Sequence, residues 1–279
     1  IQRGLSRLVS PFKENKDFCV YLQAPEEFSE FSSEISPPVV LNYPHYTVTG
    51  AVDPQGTCNL MLEVKASGEV KRVSGGFVRE EKDGLQYLDE EAYLRFKQAT
   101  QNRTAENMAE WKKKLPACGP LQIELRIWDR DDLGNIIQQT GSNAQTIRAD
   151  LDSFAGINIY RDGFRVLPYG EPNNDWLRLD IRRVQNPTKR LSNNQIVGHI
   201  SITADQNLGL KDQSNREGLD ENQSYSDLRE IMKSILLMIE DLRKRSKGSG
   251  EGEKKSSQSL NLFAPLDLSP IRHHMASFS

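Results

Sequence analysis

The chain has 279 residues, 27% of them charged and 37% hydrophobic, with a formal net charge of −3. That length exceeds one typical domain of about 100–200 residues and is ample for a buried core. The near-neutral balance excludes a globally basic nucleic-acid coat and an acidic tail protein, and no run of about 18 apolar residues offers a membrane-spanning helix.

The opening residues, Ile1 to Phe12, read as a short helix stopped by Pro11. Asp17 to Gln23 alternates around Phe18, Val20 and Leu22 as a half-buried strand, and the Glu-, Ser- and Pro-rich text from Ala24 to Pro38 reads as a loop. Strands are predicted at Tyr46–Val52 and Asn59–Val64, separated by the turn signal Asp53-Pro-Gln-Gly56. Asp89 to Lys114 has helical character, interrupted around Asn102, with Thr104 as an N-cap for a helix carrying Trp111.

After Gly119-Pro120 the alternation of Leu121, Ile123, Leu125 and Ile127 is the clearest strand signal in the chain. Asp129 to Phe154 is spaced for one or two helices broken near Gly141. The Asp162-Gly163 step then joins two strands, 156–160 and 163–167, as a hairpin. Ile196–Ile202 is a further strand. Tyr225 to Lys244 places Leu228, Ile231, Met232, Ile235, Leu236, Ile239 and Leu242 on the 3.6-residue period of a helix capped by Asn222 or Ser224. Beyond it the Lys-, Ser-, Gly- and Glu-rich text reads as a flexible linker, followed by a short apolar segment from Leu260 to Pro270. These elements imply an α+β fold with one sheet in the second half.

Cys19, Cys58 and Cys118 are odd in number and widely spaced, which argues against a disulfide framework and a zinc knuckle and for a reducing, cytoplasmic setting. In that setting the sequons at Asn102 and Asn222 carry no glycan. Chemistry-bearing motifs are few. No phosphate-cradling loop or Gly-x-Ser-x-Gly elbow is present, and Gly248-Ser-Gly-Glu-Gly252 lies in the charged linker. His45, His199, His273 and His274 lack ligand spacing apart from the adjacent tail pair, so no metal is expected. Asp129-Arg-Asp-Asp132 reads as helix-start acid favoured by the macrodipole.

The unusual stretch lies between Arg161 and Arg190. Seven basic residues (Arg161, Arg165, Arg178, Arg182, Arg183, Lys189, Arg190) face four acids there, interleaved with Phe164, Tyr169 and Trp176. Such a pattern suits either phosphate contact or a solvated sheet face with ion pairs. The polar loops Arg190–Gln195 and Asp212–Gly218 precede the last strand and the last helix, positions where sites tend to sit.

Several segments together resemble bacterial ATP-binding proteins of the GHKL superfamily, which unites gyrase B, the ninety-kilodalton heat-shock chaperones, histidine kinases and MutL. They are Leu5-Ser-Arg-Leu-Val-Ser-Pro-Phe12, Gly156–Gly170, Asn174-Asp-Trp-Leu177, Arg190-Leu-Ser-Asn-Asn194 and Asn207–Leu219. The likeness lies in the part that follows the nucleotide domain. Asn207–Leu219 is similar to the chaperone middle-domain stretch ending in Ser-Arg-Glu, whose arginine touches the terminal phosphate of ATP. The resemblance therefore implies that Arg216 senses that phosphate, with Asn215 and Glu217 positioning it. Lys189 and Arg190 rank second as the cation. A guanidinium suits the role because it is always charged and offers a fork of donors to phosphate oxygens.

The likeness covers 1–23 and about 119–245. It implies the end of a nucleotide domain and a first transducer strand at 1–23, an inserted strand-rich module at 24–118, a transducer-like α+β domain with crossover helices and a long C-terminal helix at 119–245, and a flexible linker and tail at 246–279. The superfamily's Glu-x-x-x-Asn and Asp-x-Gly-x-Gly signatures are absent. The expectation is thus a transducer fragment without a cofactor of its own, whose parent protein binds ATP and Mg through a domain upstream of Ile1. Expected partners are that domain and a second copy in a homodimer, with nucleic acid or a client protein beside them. Two alternatives stand beside this reading. One is a nucleic-acid module using Arg161, Arg165, Arg178, Arg182 and Arg183 with the basic tail; the other is an interaction scaffold that recognises a protein through 24–118.

Overall fold

The alternation from Leu121 to Ile127 forms the centre of the molecule's main sheet. Leu121, Ile123, Leu125 and Ile127 are at most 3% exposed, while Gln122, Glu124 and Arg126 point to the other face. The computed structural model describes residues 12, 20–80, 84–99, 113–213 and 217–262, with side chains through 246 except those of 30, 31 and 80. The predicted helices at 1–12 and around Trp111 fall outside these, apart from Phe12. The chain divides into two units, Ile1–Leu237 and Met238–Ser279.

Among the described residues the fold is α+β, with strands β1 (Val20–Leu22), β2 (Ser33–Ile35), β3 (Tyr46–Val52), β4 (Thr57–Val64), β5 (Glu69–Glu80) and β6 (Gly84–Asp89), then helix α1 (Glu90–Ala99). Strand β7 (Leu121–Ile127), helices α2 (Gly134–Thr140) and α3 (Ala144–Phe154), and strands β8 (Gly156–Arg161) and β9 (Phe164–Val166) follow. Helix α4 (Leu179–Gln185), strand β10 (Ile196–Ile202) and helix α5 (Gln223–Leu262) complete the order. Strands β3 to β10 form one mixed eight-stranded sheet in the order β6-β5-β4-β3-β7-β10-β8-β9. Its pairs are antiparallel except β8 and β10, which run parallel and are joined by the crossover that carries α4.

The end expected at 118 for the inserted module is not a boundary in this sheet. Strand β3 lies against β7 over seven residue pairs, from Tyr46↔Ile127 to Val52↔Leu121, so the strand-rich first part and the second part share one hydrogen-bonded ladder. The segment read as a loop at 24–38 also holds structure. A 3-10 helix spans Glu26–Phe31, and Ser33–Ile35 pairs with Val20–Leu22, which satisfies backbone groups that its polar composition had assigned to water. Strand β6, the half-buried edge of the sheet, carries no clean alternation, and β5 inside it is buried continuously over 75–78.

One core cluster gathers Trp128, Leu133, Ile136, Ile147, Leu151, Phe154 and Val197 with Val40 and Leu41 of a 3-10 turn, under α2 and α3. The break between those helices is Gly141, in the left-handed region at φ 66°, with Asn143 Oδ1 then accepting from Thr146 N at 2.8 Å to cap α3. The Asp129–Asp132 run does not start a helix: α2 begins at Gly134 with no acid in its first turn. Asp129 is instead buried, where Tyr46 Oη donates to its Oδ2 at 3.2 Å and its own N–H donates to His45 Nδ1 at 3.0 Å. Helix α5 begins at Gln223, with Asn222 Oδ1 accepting from Tyr225 N at 3.1 Å. Leu228, Ile231, Met232, Ile235 and Leu236 are fully buried in the first unit. In the second unit the same helix reaches Leu262, past the linker boundary that composition placed at 246. Its glycines weaken it, but extending an existing helix adds one hydrogen bond per residue without a new nucleus.

Candidate functional site

Strand β10 feeds two tight turns before α5, and the resemblance to a phosphate-sensing loop falls on the second. The first is clasped by Asn207, which is 2% exposed: its Oδ1 accepts from Thr203 N at 2.9 Å and its Nδ2 donates to Cys118 O at 2.6 Å and Pro120 O at 2.9 Å. The second turn is a closed stem. Asp220 N donates to Lys211 O at 2.8 Å, Gln213 N to Gly218 O at 2.9 Å and Gln213 Nε2 to Leu219 O at 3.2 Å. Asn215 and Arg216 lie outside the described residues; Glu217, which follows them, is exposed.

Two neighbours brace the stem. Leu219 N donates to Tyr169 Oη at 3.0 Å, and Tyr169 packs against Trp176 at 5.3 Å and Tyr225 at 6.0 Å between ring centroids. Burial, then the adjoining Tyr169 hydroxyl, raises the Tyr225 hydroxyl well above its ordinary pKa, so Tyr225 stays neutral. Arg161 on β8 is the second brace: one guanidinium nitrogen pairs with Asp212 Oδ1 at 2.7 Å and the other donates to Leu210 O.

The remaining basic residues are distributed around this platform. Arg165 pairs with Glu171 Oε1 at 2.9 Å and donates to Tyr169 O at 3.3 Å. Arg178 is exposed and left-handed at φ 55°, just before α4, where Asp175 caps the helix by accepting from Leu179 N at 2.8 Å and Asp180 N at 2.9 Å. Arg178 and Arg182 both act on Lys233 of α5. Its pKa is lowered by burial first and by Arg229 next, against the opposing pull of Glu230. Lys189 and Arg190 occupy the turn after α4, where their N–H groups donate to Asn186 O at 3.3 and 3.0 Å. Arg161 and Arg165 thus hold the fold together, while Arg178 and Arg182 crowd cations near α5.

Arg183 turns elsewhere, into a polar cavity of about 450 Å³ that it lines with Arg130, Arg148, Ser192, Asn194 and Gln195. Its Nη1 donates to Ser192 Oγ at 3.2 Å and to Gln195 Oε1. Ser192 and Gln195 form a capping box just before β10, and Gln195 Nε2 donates to Trp128 O at 3.3 Å. Arg130 pairs with Asp152 and donates to Asn194 O at 3.0 Å, while Arg148 Nη2 donates to Arg130 O at 3.4 Å. Nothing in the sequence singles out Arg130, which sits inside an acidic run, or Arg148, alone on a helix. Their signal was tertiary, because 18 residues of two helices bring them together.

His199 sits on β10 between the rings of Phe12 at 4.5 Å and Tyr160 at 5.7 Å. No three His, Cys, Asp or Glu residues gather as a metal site among the described residues. Cys58 and Cys118 are buried free thiols; burial pushes Cys58 up to about 12 and Cys118 further, so neither stands ready as a nucleophile. No described helix is long and apolar enough to cross a membrane. Comparisons with protein families, curated proteins and solved structures found nothing that matches this chain.

Proposed function

We propose that this chain is the transducing part of a GHKL-type ATPase. The segment 214–217 reads the terminal phosphate of an ATP held by a separate nucleotide domain, and the cytoplasmic protein closes as a homodimer when ATP binds. The observation that carries the reading is the paired chain on either side of that segment. Backbone pairs at Lys211–Asp220 and Gln213–Gly218, the Tyr169 hydroxyl and the Arg161–Asp212 ion pair fix both of its ends to β8 and the aromatic trio. Flanking segments fixed in this way would transmit a contact made between them to β8 and the aromatic trio. Arg216 supplies a charge-assisted fork that ATP can satisfy and ADP cannot, with Asn215 and Glu217 orienting it.

ATP hydrolysis by the intact protein, nucleotide domain included, tests this. Arg216→Ala lowers turnover by about 10–100-fold, the range for losing one hydrogen bond to a charged group. Lys189→Ala, which changes a different turn, leaves turnover near wild type. Unchanged turnover in Arg216→Ala would remove the loop from the mechanism.

A further inference from the structure

We propose that the cavity lined by Arg130, Arg148 and Arg183 is a binding site for a phosphate monoester carried on a small polar molecule. Its lining includes none of residues 214–217, and it does not depend on the transducer reading.

Three elements distant in sequence converge on it: the segment after β7 brings Arg130, α3 brings Arg148, and α4 brings Arg183. The turn before β10 adds the buried Ser192 and Gln195, with the exposed Asn194 at the rim. Charge is one-sided. The lining holds three guanidiniums and one carboxylate, Asp131, and a second carboxylate, Asp152, pairs with Arg130. Arg148 and Arg183 form no ion pair with any described residue; their hydrogen bonds go to the neutral acceptors Arg130 O, Ser192 Oγ and Gln195 Oε1. Two guanidiniums that line one cavity with only neutral oxygens as acceptors leave their charge unneutralised, and an oxyanion bound there would take charge-assisted bonds from them.

The framework is already set. Arg183 is locked by the capping box, and Arg130 by Asp152 and the Asn194 carbonyl, so neither has to be ordered by the ligand. Size and lining select the ligand class. About 450 Å³ falls within the usual range for small-molecule sites and exceeds what a bare phosphate fills. Every lining side chain is polar, which suits a sugar phosphate or nucleotide and excludes an acyl tail.

Calorimetric titration at low salt with inorganic phosphate, ribose 5-phosphate and ribose tests the site. Arg148→Gln is the informative variant because Arg148 is exposed on α3 and its loss leaves the core intact. Ribose 5-phosphate is expected to bind more tightly than phosphate, and ribose not at all. Arg148→Gln weakens ribose 5-phosphate about tenfold at an unchanged melting temperature, whereas Arg178→Gln, outside the cavity, leaves it unchanged. The proposal is overturned if folded wild-type protein binds neither phosphate compound at millimolar concentration. It is equally overturned if Arg178→Gln weakens binding as much as Arg148→Gln, since diffuse surface charge then accounts for it.

Discussion

At the scale of single residues, the Asp227 carboxylate is the most deeply buried charge among the described residues of the first unit. It is fully buried, pairs with Arg79 of β5, and accepts from Ala117 N at 2.6 Å and Gln223 Nε2 at 2.9 Å. Arg79 is less enclosed, its side chain 22% exposed, so the two partners differ in what their loss leaves behind. Arg79→Met strands a carboxylate away from water and is expected to cost about 3–5 kcal/mol. Asp227→Asn keeps an acceptor for Ala117 N and leaves a guanidinium that reaches solvent, so its cost is smaller. The double variant, with no buried charge, should be more stable than Arg79→Met alone. Urea unfolding midpoints check the order; additive costs would show that the two residues do not act as a pair. None of this was legible in the sequence, where Arg79 and Asp227 are 148 positions apart. The same limit applies at the candidate sites. Arg161 and Arg165 stood out as surplus charge, and only the fold shows their partners Asp212 and Glu171.

At the scale of elements, local chemistry was readable wherever one element explains itself. The alternation of β7, the Asp162-Gly163 hairpin with Gly163 at φ 86°, and the Asn222 cap of α5 need nothing from the rest of the chain. Strand β5 is a different case, because its glycines are explained by what packs on them. Helix α1 sits so close that a Cβ added at Gly76 would lie 2.3 Å from the Tyr93 ring, and Tyr93 Oη donates to Gln55 O at 2.5 Å, which fixes that ring in place. Gly76→Ala therefore forces α1 away from β5 and is expected to destabilise the protein by about 1–3 kcal/mol. Adding Tyr93→Leu makes room for the methyl, so the double variant should lose less than the two single costs combined. Melting temperatures of the four proteins measure that coupling. Read as sequence, Ser74-Gly-Gly76 signals a turn rather than the middle of a twelve-residue strand.

At the scale of the whole first unit, what the sequence withheld was strand order. Period-two alternation says which residues share a face, but it does not say which strand lies beside which. An inserted module is expected to end at 118, yet β7 has β3 on one edge and β10 on the other, and each ladder places Ile127 opposite a partner, Tyr46 or Ile196. If a boundary crossed the sheet between β3 and β7, the ladder would have to open there, and buried backbone groups on both strands would lose their partners. Strands β4 and β10, on opposite sides of that line, should therefore be protected by the same opening free energy. Native-state hydrogen exchange across a urea series measures this directly: amides of Leu60 and Leu62 in β4 should merge with those of Ile200 and Ile202 in β10 onto one isotherm. Amides of the edge strand β6 are expected to exchange by smaller local openings and do not decide the matter. Sub-global release of β3 and β4, with β7, β10 and β8 still protected, would mean that the first part folds as its own module and that the shared ladder is a docking contact rather than the spine of one cooperative unit.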